Sequence, residues 1–230
     1  QLVVAQDINT LGDTLRISGN LSARNVLYSA SGLNARRSPF SYVLGGDVTF
    51  SKGEFTLPLS FTYSEQDRSF SQPFNQFGIA PKYKWLTLYL GFQNLNWGTY
   101  TLAGHQMAGA GFEVKKSKLN FGAIYGRLRR AVPFDSIKNN THQATFERKG
   151  LAAHVGYGTD QNRFEFTFLK ASDDENSLKS TSDSVTTTPA ENTAASFKGN
   201  LNLFKNFSVF VESAISIYSR NKLSPAYESE

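Results

Sequence analysis

The sequence predicts an all-β protein: an antiparallel, up-and-down transmembrane β-barrel, with about eleven strands visible, read as part of a larger barrel. Three observations carry this. The first is alternation. In "GEFTLPLSFTYSEQ", Phe55, Leu57, Leu59, Phe61 and Tyr63 fall on one face of a strand, while Glu54, Thr56, Ser60 and Thr62 fall on the other. The second is composition: among 230 residues, aromatics make up 13%, and charged residues only 19%, below the roughly 25% of soluble domains. The third is that short and long connections alternate along the chain, as in outer-membrane barrels.

The strands are expected, in order, at Thr14 to Ser29, Phe40 to Ser51, Glu54 to Gln66, Asn75 to Tyr83, Trp85 to Trp97 and His105 to Lys115. Lys118 to Arg130, Gln143 to Gly158, Arg163 to Ser172, Ala194 to Leu203 and Phe207 to Arg220 complete the set. "TLRISGNLSAR" opposes Leu15, Ile17 and Leu21 to Arg16, Ser18, Asn20, Ser22 and Arg24. "LTLYLGF" aligns Leu86, Leu88, Leu90 and Phe92, and "RFEFTFL" aligns Phe164, Phe166 and Phe168. "SFKGNLNLF" opposes Phe197, Leu201 and Leu203 to Lys198, Asn200 and Asn202. Each is near the ~10 residues that a tilted spanning strand requires. Pro58 interrupts its strand at the cost of a ladder hydrogen bond.

Short turns are expected at "SKGE" (Ser51 to Glu54), around "KYKW" (Lys82 to Trp85), and at "KKSK" (Lys115 to Lys118), "TDQN" (Thr159 to Asn162) and "FKNF" (Phe204 to Phe207). Longer polar links lie between them: Asp67 to Phe74, Gly98 to Gly104, Ala131 to His142 and Asp173 to Thr193. The last is expected to be mobile and extracellular. The division is 1–13 as an N-terminal segment, 14–220 as the barrel portion and 221–230 as a loop or truncated end.

The net charge of +5 is spread along the chain. "RLRR" and "ARR" are too short for a nucleic-acid stripe, so no nucleic-acid partner is expected. With no Cys, neither a disulfide framework nor a thiolate metal site is possible. The one Met is Met107, so Gln1 reads as the start of a processed protein or a fragment. No run approaches ~20 apolar residues, which excludes a spanning helix but not a spanning barrel.

In a barrel the apolar rows face lipid and the polar rows line the lumen. The lumen candidates are Arg16, Arg24, Asp47, Glu54, Glu113, Arg148, His154, Glu165, Lys198 and Glu212, read as a salt-bridged interior rather than a selectivity constriction. Glu113 shares its face with Met107, Gly109 and Gly111, which leaves its side open. Aromatic pairs near strand ends (Phe50 and Phe55, Tyr83 and Trp85, Trp97 and Tyr100, Phe204 and Phe207) suit an interfacial belt. Mid-strand glycines in "GAGF", "FGAIYG" and "HVGYG" suit a curved wall. The alternative is a soluble or surface-attached all-β module binding carbohydrate or protein through its long loops. No catalytic, cofactor or metal site emerges. His105, His142 and His154 show no metal spacing, and His142 with Asp135 makes a poor hydrolase pair. "DDENS" (Asp173 to Ser177) reads as a solvated loop before a calcium site.

"SPFSYVLGGDVTF", "LPLSFTYSEQDRSFSQPFNQFGIAPKYKWLTLYLGFQNL", "TYTLAGHQMAGAGFEV" and "KLNFGAIYGRL" resemble large outer-membrane β-barrel proteins of Bacteroidetes. The resemblance runs from about Leu15 to Arg220. It implies a bacterial outer-membrane location, lipid contact and a non-enzymatic role, as a pore or as the membrane anchor of a surface complex. Members are usually much longer, and an odd strand count cannot close the even-numbered barrel that bacteria normally build. Further polypeptide, from a continuation or a partner, is therefore expected.

Overall fold

The computed structural model describes residues 14–29, 31–32, 39–65, 75–133, 144–159, 161–178, 187–204 and 207–224. The segments 1–13 and 225–230, with Asp135 and His142, lie outside the described residues. The alternating stretches become twelve strands: β1 (Arg16–Leu27), β2 (Phe40–Lys52), β3 (Phe55–Ser64), β4 (Gln76–Ile79), β5 (Lys82–Tyr83), β6 (Leu86–Asn94), β7 (Gln106–Lys116), β8 (Leu119–Arg129), β9 (Glu147–Gly158), β10 (Arg163–Asp174), β11 (Glu191–Phe204) and β12 (Phe207–Ser219). One 3-10 turn, Glu175–Ser177, follows β10. All twelve join one antiparallel sheet in sequence order, and the ladder is open from β1 to β12. Every rung is a neighbour-to-neighbour pairing, the topology of repeated hairpins.

The stretch expected as one strand from Asn75 to Tyr83 is broken into β4 and β5, which both lie between β3 and β6. The sheet is thus eleven positions wide. Pro58 explains the break. Its carbonyl accepts from Ala80 N at 3.0 Å, so its N–H side, which has no hydrogen, also faces the Ala80–Pro81 junction. Two prolines meet at this seam, and the ladder lapses there.

Three of the short connections, those at 53–54, 84–85 and 117–118, are two-residue turns, and each places its first residue in the left-handed region: Gly53 (φ 57°), Lys84 (φ 51°) and Ser117 (φ 55°). Only the first has a glycine to relieve the strain.

Ladder partners point their side chains to the same face, so the register sorts every residue. One rung runs through Gly78, Gly91, Gly109, Gly126 and Gly150 on β4, β6, β7, β8 and β9. A Cβ on Gly126 would sit 2.5 Å from Ala108 O and 2.6 Å from Gly109 Cα. Side chains along this rung would have nowhere to go, so the glycines let the wall bend tightly toward that face.

The strand expected to run to Trp97 ends at Asn94, so the link expected at Gly98 to Gly104 spans Leu95 to His105, and it folds back over the inner side of this bend. Its Thr99 reaches Glu212 on β12: N and Oγ1 donate to the carboxylate at 2.7 and 2.9 Å. Thr99 is five residues past the end of β6, a chain reach of at most ~18 Å. A flat sheet would put β12 six spacings, roughly 29 Å, away. The sheet must curl for this contact to exist. Trp97 and Leu102 drive the folding-in: they are buried with Tyr89, Leu95, Met107, Ile124, Ala152 and Leu169 in the core cluster of the described residues. Burial of a side chain the size of Leu102 contributes about 1.5–3 kcal/mol.

The opposite face is the apolar one, and it is open. Ile17, Leu44, Phe55, Phe77, Leu88, Phe112, Tyr125, Leu151, Phe166, Phe197 and Ile217 all lie there, each well exposed.

Candidate functional site

Of the ten polar candidates, the register puts Arg16, Arg24, Asp47, Glu113, Arg148, His154, Glu165, Lys198 and Glu212 on the inner face. Glu54 is the exception. It lies in the β2–β3 turn, where its carboxylate meets Lys84 Nζ at 3.1 Å. That hydrogen bond, with the attached charge, raises the Lys84 pKa. A residue inside a two-residue turn is off the ladder and has no fixed face, which is why alternation misplaces it.

Glu113 and His154, 41 residues apart in sequence, meet through the shared partner Gly122. His154 Nε2 stands 3.3 Å from Glu113 Oε1, at an angle that makes no hydrogen bond. Tyr89 OH donates to the other carboxylate oxygen at 2.9 Å, and Lys115 Nζ lies 3.0 Å from it. Gly122 is what makes room: a Cβ there would fall 3.1 Å from His154 Nε2. Over this group the folded-in link lays Trp97, stacked on the His154 ring at 4.3 Å between centroids.

The link is held at three further points. Thr167 Oγ1 on β10 donates to Trp97 O at 2.9 Å, Thr101 Oγ1 lies 3.4 Å from Ser196 Oγ on β11, and Thr99 is held by Glu212. Gly98 lets the chain turn so close to the wall, since a Cβ would meet Thr101 Oγ1 at 2.5 Å and Ser196 Oγ at 2.8 Å. Glu212 therefore anchors backbone. Glu165 sits between Arg163 at 3.2 Å and Lys198 at 3.9 Å.

A second polar node, not anticipated as such, forms at the long-loop end. Asp173 is buried and takes both guanidinium arms of Arg148, Nε at 2.7 Å and Nη2 at 2.9 Å. Ala190 N donates to the same carboxylate at 3.0 Å, and Arg129 Nη2 approaches at 3.4 Å. Arg129 reaches inward because the β8–β9 register shifts between Arg127 and Arg129. The extra residue, Leu128, flips the following side chain to the other face. Asp174 instead meets Lys149 Nζ at 2.8 Å and caps the 3-10 turn through Asn176 N. The two aspartates of "DDENS" are thus engaged by cations and backbone. Among the described residues no cluster of His, Asp and Glu has the arrangement of a metal site.

The inner face divides in two. Over β6 to β11 it is covered by the folded-in link. Over β1 to β4 no described residue covers it, and it forms a polar groove of about 310 Å³, lined by Asn20, Ser22, Asp47, Ser60, Thr62 and Gln76, with Gln106 of β7 at its border and Phe61 and Phe92 at its edges.

Together these features define an all-β protein built on one curled antiparallel sheet, apolar outside and polar inside. No family model matches the chain, and neither a curated protein nor a solved structure matches it.

Proposed function

We propose that this chain is the wall of an outer-membrane β-barrel without enzymatic activity, acting as a pore or as the membrane anchor of a surface complex in a bacterium of the Bacteroidetes type. The observation that carries the reading is the inversion of faces. The outward side chains that are near half-exposed form a surface on the order of 2,000 Å², where monomeric soluble proteins rarely show more than a few hundred. On β9 this surface runs from Leu151 to Tyr157 and is bounded by Lys149. Lys149 to Tyr157 is ~26 Å of strand, or about 20 Å in height at a tilt near 40°, close to the ~25 Å apolar band of such barrels. At the short-turn end the band finishes in Tyr83, Trp85, Tyr157, Phe204 and Phe207, with Lys84 over the Tyr83 ring at 5.3 Å and Lys116 over Trp85 at 5.7 Å. Amphipathic rings flanked by lysines suit a headgroup boundary.

Lipid is one partner under this reading, and polypeptide is the other. Ten antiparallel steps separate β1 from β12, so both run in the same direction and direct closure would make a parallel pair. An odd number of further strands between them restores antiparallel pairing throughout. In hydrocarbon an unpaired edge costs several kcal/mol per backbone group, so such strands accompany the sheet in its membrane.

Because the chain has no cysteine, single cysteines give a clean test. With the protein in vesicles, Phe166→Cys is expected to react with a lipid-dissolved maleimide and resist a water-soluble one, and Lys198→Cys to do the reverse. Water-phase labelling of Phe166→Cys in the folded protein would make the apolar face a soluble one and favour the loop-binding module.

A further inference from the structure

The bare half of the inner face has a chemistry of its own. Asn20, Ser22, Ser60, Thr62, Gln76 and Gln106 supply hydroxyl and carboxamide groups, able both to donate and to accept. The sole ionised side chain of the lining is Asp47; Arg16 and Arg24 lie on the same face but beyond the two ends of the groove. The amides are held in place: Gln106 Nε2 donates to Gln76 Oε1 at 2.5 Å, and beside the groove Gln93 Nε2 donates to Ile79 O and Leu90 O at 3.1 and 2.9 Å.

Gly45 is the decisive residue. Its neighbour Gly46 has no room for a side chain, since a Cβ would lie 2.6 Å from Leu21 Cδ2 and 2.7 Å from Asn20 O. At Gly45 a Cβ would make only ordinary contacts, 3.4 Å to Ser22 Oγ, 3.7 Å to Phe61 O and 3.9 Å to Thr62 Oγ1. Its φ lies outside the left-handed region as well. Neither strain nor crowding calls for glycine at this position. What it does is keep the groove open between Ser22 and Thr62.

We propose that this wall is a binding and permeation track for small, neutral, polyhydroxylated solutes of the sugar class, running beside the folded-in link. The inference rests on the barrel reading given above. A sugar exchanges its hydrogen bonds to water for bonds to hydroxyls and amides of both polarities at little net cost. An anion meets Asp47 and loses hydration without a matching charge. The volume, at the low end for ligand sites, suits one small molecule at a time. Phe61 and Phe92 border the groove but stand at outward-facing register positions, so they offer no stacking platform on the inner wall and binding is weak, as conduction requires.

The test uses the full-length protein purified from its membrane and reconstituted in vesicles of phosphatidylcholine. Flotation with the vesicles is measured first, then osmotic swelling in arabinose, glucose and sodium gluconate. The expected result is swelling in both sugars well above empty vesicles, several-fold slower entry of gluconate, and a several-fold loss of sugar entry in Gly45→Leu. Ser22→Leu on β1 is expected to show the same loss, and covers the case in which Gly45→Leu does not fold. Vesicle-bound protein whose sugar entry equals that of empty vesicles, or is unchanged in the folded Leu variants, overturns the track and leaves the barrel standing. Protein that does not float with vesicles overturns both.

Discussion

At the scale of single residues, the weight of the inner site falls on Trp97, which stacks on His154, packs edge-on against Tyr89 at 6.5 Å between centroids, and takes the Thr167 hydrogen bond on its carbonyl. Trp97→Ala removes a large buried ring from the core cluster, and is expected to cost about 3–5 kcal/mol, measured by denaturant unfolding in vesicles. Glu212→Gln is the milder probe. It keeps one acceptor for Thr99 and loses the charge, so a loss of about 1 kcal/mol is expected. A cysteine at Tyr100, exposed on the same link, should then label faster in Glu212→Gln. An unchanged labelling rate would mean that Glu212 does not hold the link. The pairing of Glu113 with His154 could not have been read from sequence. Gly109 and Gly111, which share its face, carry no polarity, and only the register through Gly122 assigns its face.

At the scale of elements, alternation made the strands legible because each row of Phe and Leu meets one environment along its whole length. The link from Leu95 to His105 was not legible. Only Gly98 to Gly104 reads as a polar connection, with Trp97 at the end of the preceding strand, yet Trp97 and Leu102 are enough to turn the whole link inward once a concave wall exists. That wall depends on the glycine rung. Gly126→Val places branched carbons against the backbone of β7, and is expected to abolish heat-resistant folded protein on a non-boiled gel, while Gly45→Ala leaves it intact. The turns allow a gain instead. Ser117 holds a left-handed φ with no glycine to ease it, so Ser117→Gly should stabilise the β7–β8 hairpin by about 1 kcal/mol, seen as a raised unfolding midpoint. The β8 bulge escaped sequence reading altogether. One extra residue, Leu128, reverses the side on which "RLRR" presents Arg129, and periodicity cannot announce its own interruption.

At the scale of the molecule, the two faces set opposite rules for substitution. Leu59 lies mid-strand on the outward side of β3, paired with Val48 and Ile79. Leu59→Arg should cost ~2–4 kcal/mol in a bilayer, whereas Thr62→Arg, facing the bare inner groove, should cost far less. Equal effects, or the reverse order, would put water on the Leu59 side. The open ladder adds a second whole-molecule expectation. In detergent the sheet should be recovered with additional strands covering β1 and β12, by native mass spectrometry as a larger polypeptide or a complex. A closed species composed of residues 14–220 alone would contradict the parity argument.

The hydrogen bonds from Thr99 to Glu212 span 113 residues of sequence, whereas every rung of the ladder joins neighbouring strands. Local pairings form early and distant ones wait for the intervening chain. Each hairpin can therefore zip onto the previous one while the link is still loose, and the link docks only after β12 has arrived. The nascent wall is expected to stay hollow until its late strands arrive, and to be filled from inside as a last step. Trp97 should report that step by itself: in a Trp85→Phe background it is the remaining indole of the chain. Its fluorescence is expected to change in a separate phase, slower than the rise of β-sheet circular dichroism, and that lag should shorten when Glu212 is replaced and the distant contact is no longer awaited.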